Sequence, residues 1–347
     1  MTPTAPLAGK PRIQALDVLR GLAALAVMIY HYTVVFPAMV NHTDYRIAIP
    51  YGVYAVHLFF MISGFVITLS LDHTRRPMDF VVSRFSRLYP VFWAAVLLTQ
   101  TVVSLSPPAE FSVSWRDALL NLTMIAEPLH APLVDNVYWS LVVELVFYGI
   151  LFTIWSLKLL PQIEWFVLPW CSLEILAMNF GKLTGHLVPQ VIMVALLLKY
   201  AHLFLAGIVF YQIRKWGMSP FRILLLACCL ITEFLVQGIG AGCFSIIFFF
   251  LFAMLSRERL HWITVKPLIF LGGISYSLYL IHQNVGFEIM LCLGGLPFIL
   301  RMFVAATVVV LLAHLLRIWV ELPAMAAIRS SYGKLMAVSR PSTPDCP

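Results

Sequence analysis

Arg20 and His31 stand eleven residues apart in a stretch that otherwise reads as a membrane-spanning helix: Leu16-Asp17-Val18-Leu19-Arg20-Gly21-Leu22, then an apolar run to Tyr30-His31-Tyr32. At about 100° per residue that spacing is three turns plus roughly 20°, so both side chains share one helix face, roughly 16 Å apart along the axis. With Arg20 at a membrane surface, His31 lies near mid-bilayer. Ionisable groups at that depth are costly, and they mark function by default. The alternative is a signal anchor whose polar residues, Asp17 included, merely pack.

Four further groupings have the residue types and spacing for chemistry. Ser63-Gly64 breaks an apolar run, permitting close helix approach or a kink. Arg84 and Arg87, three apart, face one way on a helix and could clamp phosphate oxygens, or serve only as topology charges. Glu144 sits inside the apolar run Trp139–Tyr148, with Ser140 and Tyr148 four residues to either side on its face. A buried carboxylate needs a partner or a proton, so Glu144 either bonds another helix or faces a substrate. Ser275, Tyr279 and His282 form a polar stripe at i, i+4 and i+7, lining either a bundle seam or a cavity. His57, His202 and His314 read as satisfied core histidines. Arg317 and Glu321, four apart, read as a helix salt bridge before a stop at Pro323.

The elements that must position these residues are membrane helices. The chain is 61% hydrophobic and 11% charged, where soluble domains carry about 25% charged residues. An all-α polytopic membrane protein follows. Apolar segments run at about 13–36, 53–71, 88–105, 137–157, 165–180, 188–211, 222–238, 241–256, 267–292 and 297–320, about ten spans near the length a roughly 30 Å core requires. Ala118–Ala126 is too short to span and reads as re-entrant or interfacial. With the N-terminus inside, inner connections collect most Lys and Arg, from Lys10 and Arg12 through Arg75-Arg76 and Arg214-Lys215 to Lys334 and Arg340. The outer ones receive Arg46, Arg116, Lys182 and Arg301. This asymmetry predicts both termini in the cytoplasm, and it accounts for the net charge of +7 as topology rather than nucleic-acid binding. Glu110, Asp117, Glu127 and Asp135 collect in the outer loop 106–136. The six cysteines, without metal-ligand or disulfide-framework spacing, are expected as small core residues. The organisation expected is a lead over 1–12, a membrane domain over 13–323 and a cytoplasmic tail over 324–347.

Taken in order, the motifs closely resemble the acyltransferase-3 family of bacterial integral membrane acyltransferases. They are Leu16-Asp17-x-Leu19-Arg20-Gly21-x-Ala23 with His31, Leu58-Phe59-Phe60-x-x-Ser63-Gly64-Phe65 and Arg84-x-x-Arg87-x-x-Pro90. Trp139-Ser140-Leu141-x-x-Glu144-x-x-Phe147-Tyr148, Gly272-x-Ile274-Ser275-Tyr276-x-Leu278-Tyr279-Leu280-Ile281-His282 and Glu321-x-Pro323 complete the set. One departure stands out: His57 occupies a position that commonly carries aspartate in the family.

The resemblance implies an inner-membrane enzyme that moves an acyl group, usually acetyl from acetyl-CoA, to a hydroxyl of a carbohydrate or glycolipid acceptor. It implies Arg20, Arg84 and Arg87 as holders of the coenzyme phosphates, and His31 as general base, its ordinary pKa near 6.5 suiting proton transfer at neutral pH. Glu144 and Tyr276 are the further catalytic candidates. Asp17, Ser63, Trp139, Ser140, Ser275 and His282 complete the polar site. Many relatives append a periplasmic hydrolase-like domain; here none is expected, so the acceptor reaches the membrane domain directly or a separate periplasmic protein collects the group. A transporter or flippase moving acyl groups or lipid-linked sugars without bond chemistry is the rival reading, although no internal repeat of the kind common in transporters is visible.

Overall fold

A computed structural model describes residues 13–40, 47–105 and 111–338. The expected lead over 1–12, Arg46, Glu110 and Cys346 lie outside the described residues. Those residues form helices and no strand. In chain order they are α1 (Gln14–Met39), α2 (Ala55–Asp72), α3 (Pro77–Leu105), α4 (Trp139–Ser156), α5 (Val167–Thr184) and α6 (Ala201–Trp216). Then follow α7 (Pro220–Gln237), α8 (Ile239–Ser256), α9 (Lys266–Ile281), α10 (Asn284–Cys292) and α11 (Phe298–Ala337). Eight helices of the described residues are long and apolar enough to cross a membrane. The family of spans expected from hydropathy differs at two places. The run 188–211 is a short helix, Gln190–Ala195, followed by α6, and the run 267–292 is broken between α9 and α10.

Both breaks are held by side chains that take over the freed backbone groups, the condition for interrupting a helix at membrane depth. At the first, Glu174 of α5 accepts the backbone N–H groups of Ala201 (2.9 Å) and His202 (3.0 Å), capping α6 from outside. At the second, Asp135 accepts from Asn284 N–H (3.0 Å) and from Val137 N–H (3.1 Å). The carbonyls left over at the end of α9 accept tyrosine hydroxyls: Tyr138 donates to Leu280 (3.2 Å) and Tyr32 to His282 (2.9 Å). Asp135, expected with the other acidic residues of the outer loop 106–136, is buried, and burial pushes its carboxyl up to about 7 against the pull of the two N–H donors.

Close helix crossings depend on glycine. α1 and α9 meet at Gly21 and Gly272, where a side chain on either residue would run into the other helix's backbone, at Leu271–Gly272 or at Asp17. α2 and α6 meet at Gly64 and Gly207 in the same way, against Phe204 and Met61. The Ser63-Gly64 pair thus serves close approach. The first crossing carries the site, because it sets the helix of Arg20 and His31 against that of Ser275, Tyr276 and Tyr279. A Gly272→Val substitution is expected to force the two helices apart and to cost roughly 1–3 kcal/mol or more, read as a lowered thermal midpoint in detergent. An unchanged midpoint would mean that the crossing is slack.

Three local expectations are corrected. α11 does not stop at Pro323; it passes through a π-helical turn at Arg317–Glu321 and continues. Arg317 and Glu321 form no ion pair among the described residues: Glu321 accepts from Ser277 (3.3 Å), while the Arg317 guanidinium lies over Gly273. The wider π turn changes which side chains are neighbours, so the spacing argument for pairing fails. Of the cysteines, Cys171 and Cys229 are buried, but Cys243 and Cys292 are exposed. The segment Ala118–Ala126 contains the end of a short helix, Trp115–Asn121, tied to α3 by Trp93 Nε1 donating to the Leu122 carbonyl (2.9 Å).

Candidate active site

A cavity of about 680 Å³, its open mouth included, lies between α1, α2, α3, α4 and α9. It gathers residues that are far apart in sequence: Arg20, Ser63, Arg84, Arg87, Ser140, Glu144, Tyr148, Ser275, Tyr276 and Tyr279 all line it. Its charged lining is three arginines against one glutamate, so the chamber is electropositive and fitted to an anion. Elsewhere among the described basic residues, Lys215 pairs with Asp72 (2.6 Å), Arg222 with Glu164 (2.6 Å) and Arg214 with Glu258 (2.6 Å). Arg84 has no such partner carboxylate. It reaches Ser70 Oγ at 3.5 Å, lies 5.8 Å from the Phe80 ring centre, and its Nε is enclosed with no hydrogen-bond partner. A buried guanidinium donor left open is unusual, and a ligand oxygen would satisfy it.

Glu144 is held from two helices. Its Oε1 accepts the hydroxyls of Ser63 on α2 and of Tyr148 one turn along α4, the latter at 2.5 Å. Tyr148 is thus the partner that the four-residue spacing anticipates. Ser140, on the other side of Glu144, instead pairs its hydroxyl with that of Tyr279 (2.7 Å) and donates to the Val137 carbonyl (3.0 Å). Tyr276 lines the cavity and donates to the Leu88 carbonyl (3.2 Å), while Ser275 turns back to the Gly272 carbonyl (2.8 Å).

His31 is not in the cavity wall. It opens a π-helical turn, His31–Val35, within α1, a device frequent at functional sites. Its Nδ1 lies 2.9 Å from Nε2 of His282, the rings 4.9 Å apart. Tyr279 links pair and cavity: it lines the cavity, and its ring is 5.6 Å from that of His282. The stripe Ser275, Tyr279, His282 therefore runs along the cavity and one residue past it. Asp17 and Trp139 are also outside the wall. Asp17 packs its carbonyl on Gly272, and the Trp139 ring lies tilted against Tyr200 (5.5 Å) and edge-on to Phe60 (6.2 Å).

A second buried polar cluster joins α2, α5, α6, α7 and α8. Glu233 accepts from His57 Nδ1 (2.7 Å) and Ser245 (2.8 Å) on one oxygen and lies 2.6 Å from His202 Nε2 on the other. His202 Nδ1 in turn lies 3.1 Å from Glu174. His57 and His202 are satisfied core histidines as expected, whereas His314 is not: its Nδ1 is enclosed without a partner. Glu174 and Glu233 escaped notice in the sequence, although the signal used for Glu144, a lone carboxylate in an apolar run, applies equally to both.

The family model described as an acyltransferase domain, of the acyltransferase-3 type, matches residues 13–318, nearly the whole chain and every element of the cavity. No curated protein and no solved structure matches it. With eight apolar helices of spanning length and a family match over the bundle that holds Arg20, Glu144 and the His31–His282 pair, the chain belongs to the acyltransferase-3 family and is a multi-pass membrane acyltransferase.

Proposed function

We propose that the protein transfers an acyl group, with acetyl the expected one, from acyl-CoA to a hydroxyl of a carbohydrate or glycolipid acceptor, with His31 as general base. The observation that carries this reading is the cavity: three arginines against one carboxylate on its wall, continuing to Tyr279, which touches the histidine pair. Coenzyme A brings the phosphates that such a lining requires, and guanidinium–phosphate hydrogen bonds are strong and directional. Its extended pantetheine arm, on this reading, carries the thioester from the arginines toward His31. On this reading Arg20, Arg84 and Arg87 hold the phosphates. His31 takes the proton from the acceptor O–H, the oxygen attacks the thioester carbonyl carbon, the C–S bond breaks, and the proton passes from the imidazolium to the coenzyme thiolate. Tyr276, Ser140 and Tyr279 supply hydroxyls on the route, and Glu144 anchors Ser63 and Tyr148 beside the arginines. The Lys and Arg distribution supports an inner-membrane protein with both termini in the cytoplasm, the coenzyme entering from that side and the acceptor, or a separate periplasmic acyl-accepting protein, from the other.

The test is thioester cleavage by purified protein. Coenzyme release from acetyl-CoA that depends on added acceptor supports the enzyme; acceptor movement across proteoliposomes with no coenzyme release overturns it in favour of a transporter. Arg84→Ala and Arg87→Ala are each expected to weaken acetyl-CoA binding roughly 10–100-fold, the value of a charged hydrogen bond. Unchanged affinity in a titration would return both arginines to the role of topology charges.

A further inference from the structure

We propose that His282 is a positioning residue for His31, holding it in the one neutral tautomer whose Nε2 is free to accept a proton. The inference rests on His31 as the base and adds what orients it.

His282 is fully buried, at the broken end of α9. Its Nδ1 lies 2.8 Å from the Tyr279 carbonyl, which can only accept, so Nδ1 carries a proton. A cationic His282 would carry a second proton on Nε2 and bury an imidazolium against the His31 ring. No carboxylate is among the hydrogen-bond partners of either ring in the described residues, and an unpaired charge there is costly. His282 is therefore neutral, and its Nε2 is a lone pair. His31 Nδ1, 2.9 Å from that lone pair, must be the donor. The remaining nitrogen of His31, Nε2, is left unprotonated and basic.

The chain of acceptors thus runs Tyr279 carbonyl, His282, His31, with each proton assigned by the group before it. It does for His31 what an orienting carboxylate does for a catalytic histidine elsewhere, without adding a charge to the membrane interior. When His31 takes a proton on Nε2, its Nδ1–H bond to His282 becomes charge-assisted and shortens, so the contact is stronger in the transition state than before it. The backbones that carry the two rings are tied to each other: a π turn starts at His31, and Tyr32, the next residue, donates to the His282 carbonyl, while the Tyr279 carbonyl orients the His282 ring.

The side-chain lengths make a test. In His282→Gln an amide oxygen can stand where Nε2 stands and still accept from His31. In His282→Asn the amide reaches only the Tyr279 carbonyl, and His282→Leu offers neither. Gln is expected to keep kcat within about tenfold of wild type, whereas Asn and Leu lose about 10²–10⁴-fold, with KM for acetyl-CoA unchanged. A merely structural role would not separate Gln from Asn in kcat at constant KM. Asn or Leu turning over like wild type, or Gln falling as far as Leu while binding acetyl-CoA normally, overturns the proposal. Histidine ¹⁵N spectra of the wild-type protein, with His31 identified by its loss in His31→Ala, decide the point even where a variant does not fold: a proton on Nδ1 supports it and a proton on Nε2 overturns it. If His31→Ala turns over normally, the base and its positioner fall together; if that variant is inactive and His282→Leu is not, only the positioner falls.

Discussion

His31→Ala is expected to lower acceptor-dependent turnover by about 10²–10⁴-fold, the usual contribution of a positioned acid–base group, while acetyl-CoA binds as before. The separation follows from the geometry. The arginines that would hold the coenzyme line the cavity, and His31 stands outside that wall, reached through Tyr279 and His282. Removing the imidazole leaves Arg20, Arg84, Arg87 and the Glu144–Ser63–Tyr148 cluster in place. Stopped-assay kinetics together with a binding titration read the two effects apart. Wild-type turnover would remove His31 from the chemistry; a parallel loss of coenzyme affinity would make it a binding residue.

The second large effect concerns stability. Glu233→Ala is expected to destabilise the protein by about 3–5 kcal/mol, the cost of breaking a buried ionic or hydrogen-bonded network by removing one partner. Glu233 is fully buried and shared by His57, His202 and Ser245, so its loss strands donors on α2, α6 and α8 at once. Glu233→Gln keeps one acceptor oxygen and should lose less. Thermal unfolding in detergent measures both, and a midpoint for Glu233→Ala equal to wild type would mean that the carboxylate is dispensable. Because the cluster shares no residue with the cavity wall, the folded fraction of Glu233→Gln should retain turnover. The cluster also gives His57 a physical account. The resemblance leads to an expectation of aspartate at this position; the chain has a histidine there, and a carboxylate from α7 stands beside it.

What could be read in the chain before folding was whatever depends on local spacing. The eleven-residue interval from Arg20 to His31 survives because α1 is regular up to His31, where the π turn begins. Glu144 and Tyr148 pair because four residues on a helix are neighbours wherever the helix lies. The same rule failed for Arg317 and Glu321, where the helix locally departs from 3.6 residues per turn. Ser140 obeyed the spacing but took a tertiary partner, Tyr279, because a hydroxyl bonds whatever acceptor the packing brings.

The helix breaks at His202 and His282 show the limit most clearly. Hydropathy sees two continuous apolar runs there, since neither break is marked by proline or glycine. The interruptions stand because Glu174 and Asp135, from other parts of the chain, cap the new helix starts, and at the second break tyrosines satisfy the freed carbonyls.

By itself, then, the sequence determined the class of the protein, most of its membrane helices, its family and the side chains with chemical capacity, because composition, periodicity and motif order are local properties of the chain. Only the tertiary structure decided which of those side chains meet. The Gly21–Gly272 crossing joins Arg20 and His31 to the Ser275–His282 stripe, the cavity collects the three arginines around Glu144, and His282 becomes the neighbour of His31 across 251 residues. Such pairings depend on how closely two backbones can approach and on where the ends of broken helices find their hydrogen bonds, and neither quantity is written in the spacing of any one segment.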